Sequence, residues 1–275
     1  MALADREGFG VNLIEAFDQP WKRQREGMVG GYWGLFDARA RAPKFAWGQP
    51  VSNHPFWVGQ ALIGVLLASL TFLAALWSAR RLRGGQVPAS SWIAVASIAL
   101  VSGTALGWSI EAMWLESLGL SGWLGSLAWV VVAALAPIAG AAGMMSGQGL
   151  PPLHRVLGPV ARWPRDRRLL LTGWTMAALL VLMIQTAMML VFDARYVDFP
   201  YAQSLGGLTP LALLALRSRQ GQVRPLAERV AASLLGLSAI YIVLSEGFAN
   251  WQALGFCLTL LVFAVILIVP RAEPD

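Results

Sequence analysis

The stretch WVGQALIGVLLASLTFLAALWSARRLR, residues 57–83, decides the fold class of this chain. Its residues 57–79 contain no charged side chain, and a helix needs roughly 20 apolar residues to cross about 30 Å of hydrocarbon. Arg80, Arg81 and Arg83 follow at once, which is typical of the cytoplasmic end of a membrane span. The stretch therefore predicts a transmembrane helix.

The composition of the whole chain agrees with this prediction. Of its 275 residues, 57% are hydrophobic and 13% are charged, whereas soluble domains usually contain about 25% charged residues. The net charge is +6, but the basic residues lie in clusters between apolar runs, so membrane topology accounts for them. We expect an integral protein of a lipid bilayer with no nucleic-acid partner.

Seven apolar runs follow residue 56 and predict an all-α transmembrane bundle of about seven helices. They cover residues 57–79, 92–113, 121–146, 169–192, 202–216, 230–248 and 251–269. The fifth run is short and contains Gly206, Gly207 and Pro210, so it could tilt, kink or enter only partway. Neighbouring helices must then satisfy the backbone group that Pro210 frees.

The basic residues alternate between the segments that follow the runs, with Lys/Arg counts of 3, 0, 5, 1, 4, 0 and 1. Positive loops face the cytoplasm, which places the C-terminus inside and residues 1–56 outside. With six crossings the last loops would lie on the wrong sides, so the alternation favours a full crossing by the fifth run.

Polar groups inside the runs are few. The absence of charge near their centres argues against an ion-coupled transporter and against a seven-helix receptor with a charged ligand partner. Gln185 is interpreted as a helix–helix hydrogen bond, and Gly103 and Gly107 form a GxxxG that is either a helix contact or a chance match. No metal site and no cofactor are predicted, since the lone Cys257 and the two histidines form no ligand spacing.

A different passage precedes the runs: NLIEAFDQPWKRQREGMVGGYWGLFD, residues 12–37. Residues 1–56 contain seven Lys/Arg and no secretory signal, yet the loops place them outside. We therefore expect an upstream signal or membrane helix in a longer precursor, with residues 1–56 as the tail of an incomplete domain.

The local pattern predicts a helix in ALADREGF and a strand in GVNLIEAF. One face of that strand carries Val11, Leu13, Glu15 and Phe17. The Glu15 carboxylate lies at the C-terminal end of this strand, and Asp18, Trp21 and Lys22 follow in the loop. Active-site groups of (β/α)8 barrels lie at the C-terminal ends of strands. Tryptophan beside carboxylates suits sugar rings, because the indole covers C–H surface while the carboxylates accept from hydroxyls.

The segments IEAFDQPWK and EGMVGGYWGLFD resemble the closing segment of glycoside hydrolase family 17 barrels. They are similar to the fungal cell-wall glucanase and glucan-transferase branch, with its EAFDEPWK-like strand and WGLF segment. They are closer to bacterial membrane proteins of that family associated with β-1,3/β-1,6-glucan synthesis, where a multi-spanning region follows the barrel. The resemblance covers residues 12–47, and DARYVDFPYA, residues 193–202, is similar to a second motif of those proteins.

The resemblance implies a (β/α)8 barrel remnant over residues 1–56 and a membrane domain over 57–275, in the bacterial inner membrane. It implies that Glu15 faces the active site at the end of the eighth strand, and that Asp18, Trp21 and Lys22 join it as substrate-binding residues. Gln19 replaces a glutamate of the fungal pattern, so a second acid in this loop is not supported.

Catalysis by this chain alone is not expected. The family's nucleophile and acid/base are glutamates on earlier strands, and retaining glycosidases need two carboxyl groups about 5–5.5 Å apart. The nearby Asp5, Glu7 and Glu26 lie on other elements, so no residue is predicted to be catalytic.

Two functions remain open at this point. The chain is the membrane-anchored part of a β-glucanase or glucan transglycosylase, or it is a module that exports or positions a polysaccharide for a partner glycosyltransferase. In the second case Glu111, Glu116 and Glu246, which the topology places at the outer surface, could line the path of the glucan.

Overall fold

A computed structural model describes residues 2–46, 48–52, 54–81, 87–160, 163–193, 198–217 and 224–270. The chain divides into two compact units. One contains the N-terminal residues up to Trp57 together with Asp198, and the other contains the described residues of 58–193 and 199–270.

Each of the seven apolar runs forms a helix, and the helix ends lie within four residues of the predicted ones. The helices are α1 Ala2–Glu7, a 3-10 turn Pro20–Lys22, α2 Arg23–Gly30, α3 Trp57–Arg80, α4 Ala89–Glu116, α5 Gly119–Met145, α6 Leu153–Val156, α7 Arg167–Phe192, α8 Tyr201–Arg217, α9 Leu226–Glu246 and α10 Trp251–Ile268. Within the described residues six helices, α3, α4, α5, α7, α9 and α10, are long and apolar enough to cross a membrane.

Local signals explain where several helices begin. Asp166 caps α7 by accepting a hydrogen bond from the Arg168 backbone N–H, and Asn250 caps α10 by accepting one from Ala253. Such side-chain oxygens satisfy backbone donors that have no partner in the first turn. Pro88 precedes α4, and proline favours the extended backbone that comes before a helix.

Helix α8 has 17 residues and is not among the six candidate spans, yet it lies inside the bundle against α4, α5 and α10. At its first turn Tyr201 packs edge-on against Trp108 and Trp251, with ring centroids 5.3 and 5.6 Å apart. At its last turn Arg217 donates to the Met144 carbonyl at the end of α5. Helix α8 therefore contacts one end of the bundle at its start and the other at its finish.

The expectation about Pro210 is confirmed. A proline lacks the N–H that would bond the carbonyl four residues earlier, which here belongs to Gly206. The Ser102 hydroxyl of α4 donates to that carbonyl at 2.8 Å. The backbone group freed by the proline is thus satisfied by a neighbouring helix, as a membrane interior requires.

The GxxxG of α4 is a helix contact. A Cβ on Gly103 would lie 2.8 Å from the Gly64 carbonyl oxygen of α3, and one on Gly107 would lie 2.7 Å from the Gln60 oxygen. Glycine therefore permits the close approach of the two backbones. The interpretation of Gln185 as a helix–helix hydrogen bond is wrong, since this side chain is exposed on α7.

The N-terminal unit departs from its predicted secondary structure. The helix over ALADREGF forms as α1, but the strand over GVNLIEAF does not: the described residues contain only isolated bridges, Phe17 to Phe36 and Phe36 to Pro43. A strand needs a partner along its length, and only its last residues find one.

The predicted inward face of that strand is also largely open. Val11, Leu13 and Phe17 are each more than 40% exposed, whereas the Glu15 side chain is only 10% exposed. The barrel remnant stays a prediction. Trp47 of the resembling segment and residues 194–197 of DARYVDFPYA lie outside the described residues.

Candidate functional site

The resembling segment folds around a short backbone pairing. The Leu35 and Phe36 N–H groups donate to the carbonyls of Glu15 and Ala16, and the Asp18 N–H donates back to Phe36. The pairing brings the EAFD residues of IEAFDQPWK beside the GLF residues of EGMVGGYWGLFD. The two halves of the sequence resemblance therefore meet in space.

Where these two segments cross, the close contact between their backbones requires glycine at position 34. A Cβ there would lie 2.1 Å from the Asp18 nitrogen and 2.2 Å from the Phe17 carbonyl carbon. Any other side chain would have to displace the backbone itself.

Glu15 and Lys22 form an ion pair that the intervening 3-10 turn brings together. The Lys22 ammonium donates to Glu15 Oε1, and their side chains are 20% and 10% exposed. The hydrogen bond to Glu15 raises the pKa of Lys22 above its ordinary value, opposed by burial and assisted by the charges of Glu15 and Glu26. The second oxygen of Glu15, Oε2, is buried and has no hydrogen-bond partner among the described residues.

Two exposed indoles lie close to the ammonium of this pair. The Lys22 ammonium lies 5.9 Å from the ring centroid of Trp21 and 5.5 Å from that of Trp33. The two tryptophans are 59% and 56% exposed, and the Trp21 N–H donates to the Gln19 side chain at 2.9 Å. Broad aromatic surface thus lies beside a charged centre, so the rings can pack on an apolar face while the centre bonds polar groups.

Asp18 has a different environment from the other predicted site residues. It is 6% exposed, and its Oδ1 accepts from the Gly34 N–H at 3.0 Å and from Lys44 at 2.8 Å. Lys44 also donates to the Tyr32 carbonyl. These contacts hold three parts of the segment together. Contact of Asp18 with a substrate stays a prediction.

The loop that follows is held by Asp37. Its carboxylate accepts from the backbone N–H groups of Ala40 and Arg39, and these two bonds hold the pKa of Asp37 below its ordinary value. The turn returns the chain so that Lys44 can reach Asp18 and Tyr32.

The structure therefore brings Glu15, Trp21 and Lys22 close together. It places Asp18 in a separate set of hydrogen bonds that holds the segment in shape. Sequence reasoning missed Trp33 and Lys44 as members of the site. The quoted GYWGLF motif contains Trp33, so the resemblance could have indicated it. Lys44 has no signal of its own, since it lies 26 residues from its partner Asp18.

Two of the three acids that the sequence predicts at the outer surface, Glu111 and Glu246, accept hydrogen bonds from side-chain amides. Gln60 donates to Glu111, and Asn250 donates to Glu246 at 2.9 Å; Glu116 also has a partner. A groove between α8 and α10, with a volume of about 250 Å³, is lined by apolar side chains with Tyr201 and two threonines. Such a lining suits hydrocarbon better than the hydroxyls of a polysaccharide.

No group of three or more metal-ligating side chains occurs in the part of the chain that the structure describes. No family model, no curated protein and no solved structure matches this chain.

Proposed function

We propose that this chain is a membrane-anchored module that binds β-glucan through residues 12–47, within a system that processes β-1,3/β-1,6-glucan. The observation that carries the proposal is the pair of exposed indoles, Trp21 and Trp33, whose ring centroids lie 5.9 and 5.5 Å from the ammonium of the Lys22–Glu15 ion pair. The indoles would cover the C–H faces of sugar rings while the charged groups bond hydroxyls. The motif resemblance supplies β-glucan as the ligand class.

The proposed role of the chain by itself is binding without turnover. Retention needs two carboxyl groups about 5–5.5 Å apart, one to attack and one to transfer the proton. Glu15 and Asp18 are each engaged by a lysine, which supports a role in holding and shaping the site. Hydrolysis or transfer would then fall to a separate catalytic barrel or to a partner glycosyltransferase.

The proposed setting is the bacterial inner membrane, crossed seven times, with the sugar-binding segment outside and the C-terminus cytoplasmic. Charge alternation along the chain supports the orientation. The contacts of α8 at both ends of the bundle support its full crossing, although at about 1.5 Å per residue it is shorter than the hydrocarbon is thick.

The second candidate function is a polysaccharide conduit. Side-chain amides hold Glu111 and Glu246 at the proposed outer surface, where the two carboxylates could bond the hydroxyls of a polysaccharide. It ranks lower because the groove between α8 and α10 is apolar.

The test is glucan binding by the protein in lipid nanodiscs, measured by calorimetry with β-1,3- and β-1,6-glucan oligosaccharides. Replacing Trp21→Ala should weaken binding by about 30-fold, the effect of about 2 kcal/mol for losing a central aromatic contact. Phe9→Ala is the matched control, since Phe9 is an aromatic residue of the same unit with a similar exposure, 52% against 59% for Trp21.

Equal binding of an α-glucan, or equal weakening by both variants, would contradict the proposed site. Release of reducing ends by the purified chain would contradict binding without turnover.

A further inference from the structure

Trp77, near the C-terminal end of α3, is close to two arginines, one in the turn that follows α3 and one on α7. The guanidinium of Arg81 is 3.8 Å from the indole centroid, and that of Arg168, on α7, is 5.5 Å from it. The indole is 52% exposed. Two positive groups thus converge on one aromatic surface at the edge of the bundle.

Other arginines at this end of the bundle are engaged in fixing the fold. Arg217 donates to the Met144 carbonyl at 3.0 Å. Arg224 is 7% exposed and pairs with Glu228 at 3.5 Å while also donating to the Val269 carbonyl. These two groups bind carbonyls at the C-terminal ends of α5 and α10.

Arg81 and Arg168 retain donors. Among the described residues, the Arg81 side chain contacts Trp77 and has no hydrogen bond or ion pair. Arg168 uses one N–H on the Ser78 hydroxyl at 2.8 Å. The nearby acid Asp166 accepts from the Arg168 backbone N–H and from Gln148, and it forms no ion pair with either guanidinium within the described residues.

We propose that Trp77, Arg81 and Arg168 bind the phosphate of an anionic phospholipid. Arginine forks match phosphate geometry and stack on aromatic faces, and tryptophan favours the level of lipid headgroups. Basic pockets between transmembrane helices bind anionic headgroups in this way.

The apolar side of the same helix favours a lipid over a free anion. Leu73, Leu70 and Leu66 lie four, seven and eleven residues before Trp77 and therefore on the same helix face. They are 60%, 43% and 61% exposed. An acyl chain below the phosphate would cover this row, whereas inorganic phosphate would leave it uncovered. The inference is independent of glucan binding.

The experiment is lipid binding to the detergent-purified protein by native mass spectrometry, with phosphatidylglycerol, phosphatidylcholine and inorganic phosphate as probes. The wild type should prefer phosphatidylglycerol. Arg81→Gln should weaken that binding about 5-fold and the double variant with Arg168→Gln about 30-fold, since each basic contact contributes a similar factor. Phosphatidylcholine binding should not change.

Arg229→Gln is the matched control, because it removes one exposed positive charge of α9 that is not stacked on Trp77. Arg81→Gln alone keeps the test valid if the double variant misfolds, since Arg81 makes no side-chain hydrogen bond to the described residues. Equal affinity for both lipids would overturn the proposal, as would equal weakening by Arg229→Gln. Displacement of the lipid by millimolar phosphate would replace the lipid assignment with a free-anion site.

Discussion

At the scale of single residues, Gly34 determines how the N-terminal segment closes. Its hydrogen occupies the space in which a Cβ would meet the Asp18 nitrogen at 2.1 Å. We predict that Gly34→Ala separates the backbone pairing and destabilises the segment by about 1–3 kcal/mol, the usual effect of overpacking. Hydrogen exchange of the Asp18 amide, which donates to Phe36, measures this directly.

Gly10→Ala serves as the control for that prediction, because a Cβ on Gly10 meets nothing within 4 Å. Unchanged Asp18 exchange in Gly34→Ala would show that the pairing is not the one described.

The same scale shows what sequence could predict about the candidate site. Glu15, Trp21 and Lys22 are near one another in the chain, and a single turn brings them together, so a local motif was sufficient to select them. Trp33 and Lys44 reach the site through irregular backbone, which has no periodicity to interpret. The motif resemblance contains Trp33 and could have indicated it, whereas the contact of Lys44 with Asp18, 26 residues away, depends on loop closure and could be found only from the structure.

At the scale of helices, the hydrogen bond between Ser102 and Gly206 compensates for a proline. The sequence predicted that a neighbouring helix would satisfy the carbonyl freed by Pro210, because the membrane offers no water to do so. It could not predict which helix would do so, since the donor is 104 residues away in sequence.

We predict that Ser102→Ala destabilises the bundle by about 1–3 kcal/mol, because it leaves a buried carbonyl without a partner. Thermal unfolding in detergent is the measurement. Ser97→Ala on the same helix is the control, since the Ser97 hydroxyl is exposed and bonds only its own helix. In a double-mutant cycle, Pro210→Ala should reduce the effect of Ser102→Ala by restoring the missing N–H. Additive effects of the two changes would contradict this account.

At the scale of the whole molecule, hydropathy was sufficient to locate the helix of each of the seven apolar runs, with ends within four residues of the predicted ones. This success has a physical reason, because the length of an apolar run is set by the thickness of the bilayer. Each run therefore predicts its own helix without information about the other runs. The mutual packing of the helices depends on small residues and hydrogen bonds between distant positions, as at Gly64 and Gly103, and run length contains no information about it.

The number of crossings is the remaining question at this scale, and α8 decides it. If α8 crosses fully, the α4–α5 turn and the α9–α10 turn lie on the same side of the membrane. If it enters only partway, they lie on opposite sides. The exposed Ser121 and Ser245 mark these two turns, and the exposed Ser90 marks the start of α4.

We therefore predict the labelling of single cysteines at these positions in a Cys257→Ser background. An impermeant thiol reagent added to intact cells should label Ser121→Cys and Ser245→Cys from outside, and Ser90→Cys only after permeabilisation. The expectation follows from the positive loops that precede α4, α7 and α9 and from the contacts that α8 makes at both ends of the bundle. Labelling of Ser245→Cys together with Ser90→Cys, and opposite to Ser121→Cys, would establish six crossings and reverse the assigned side of the C-terminus.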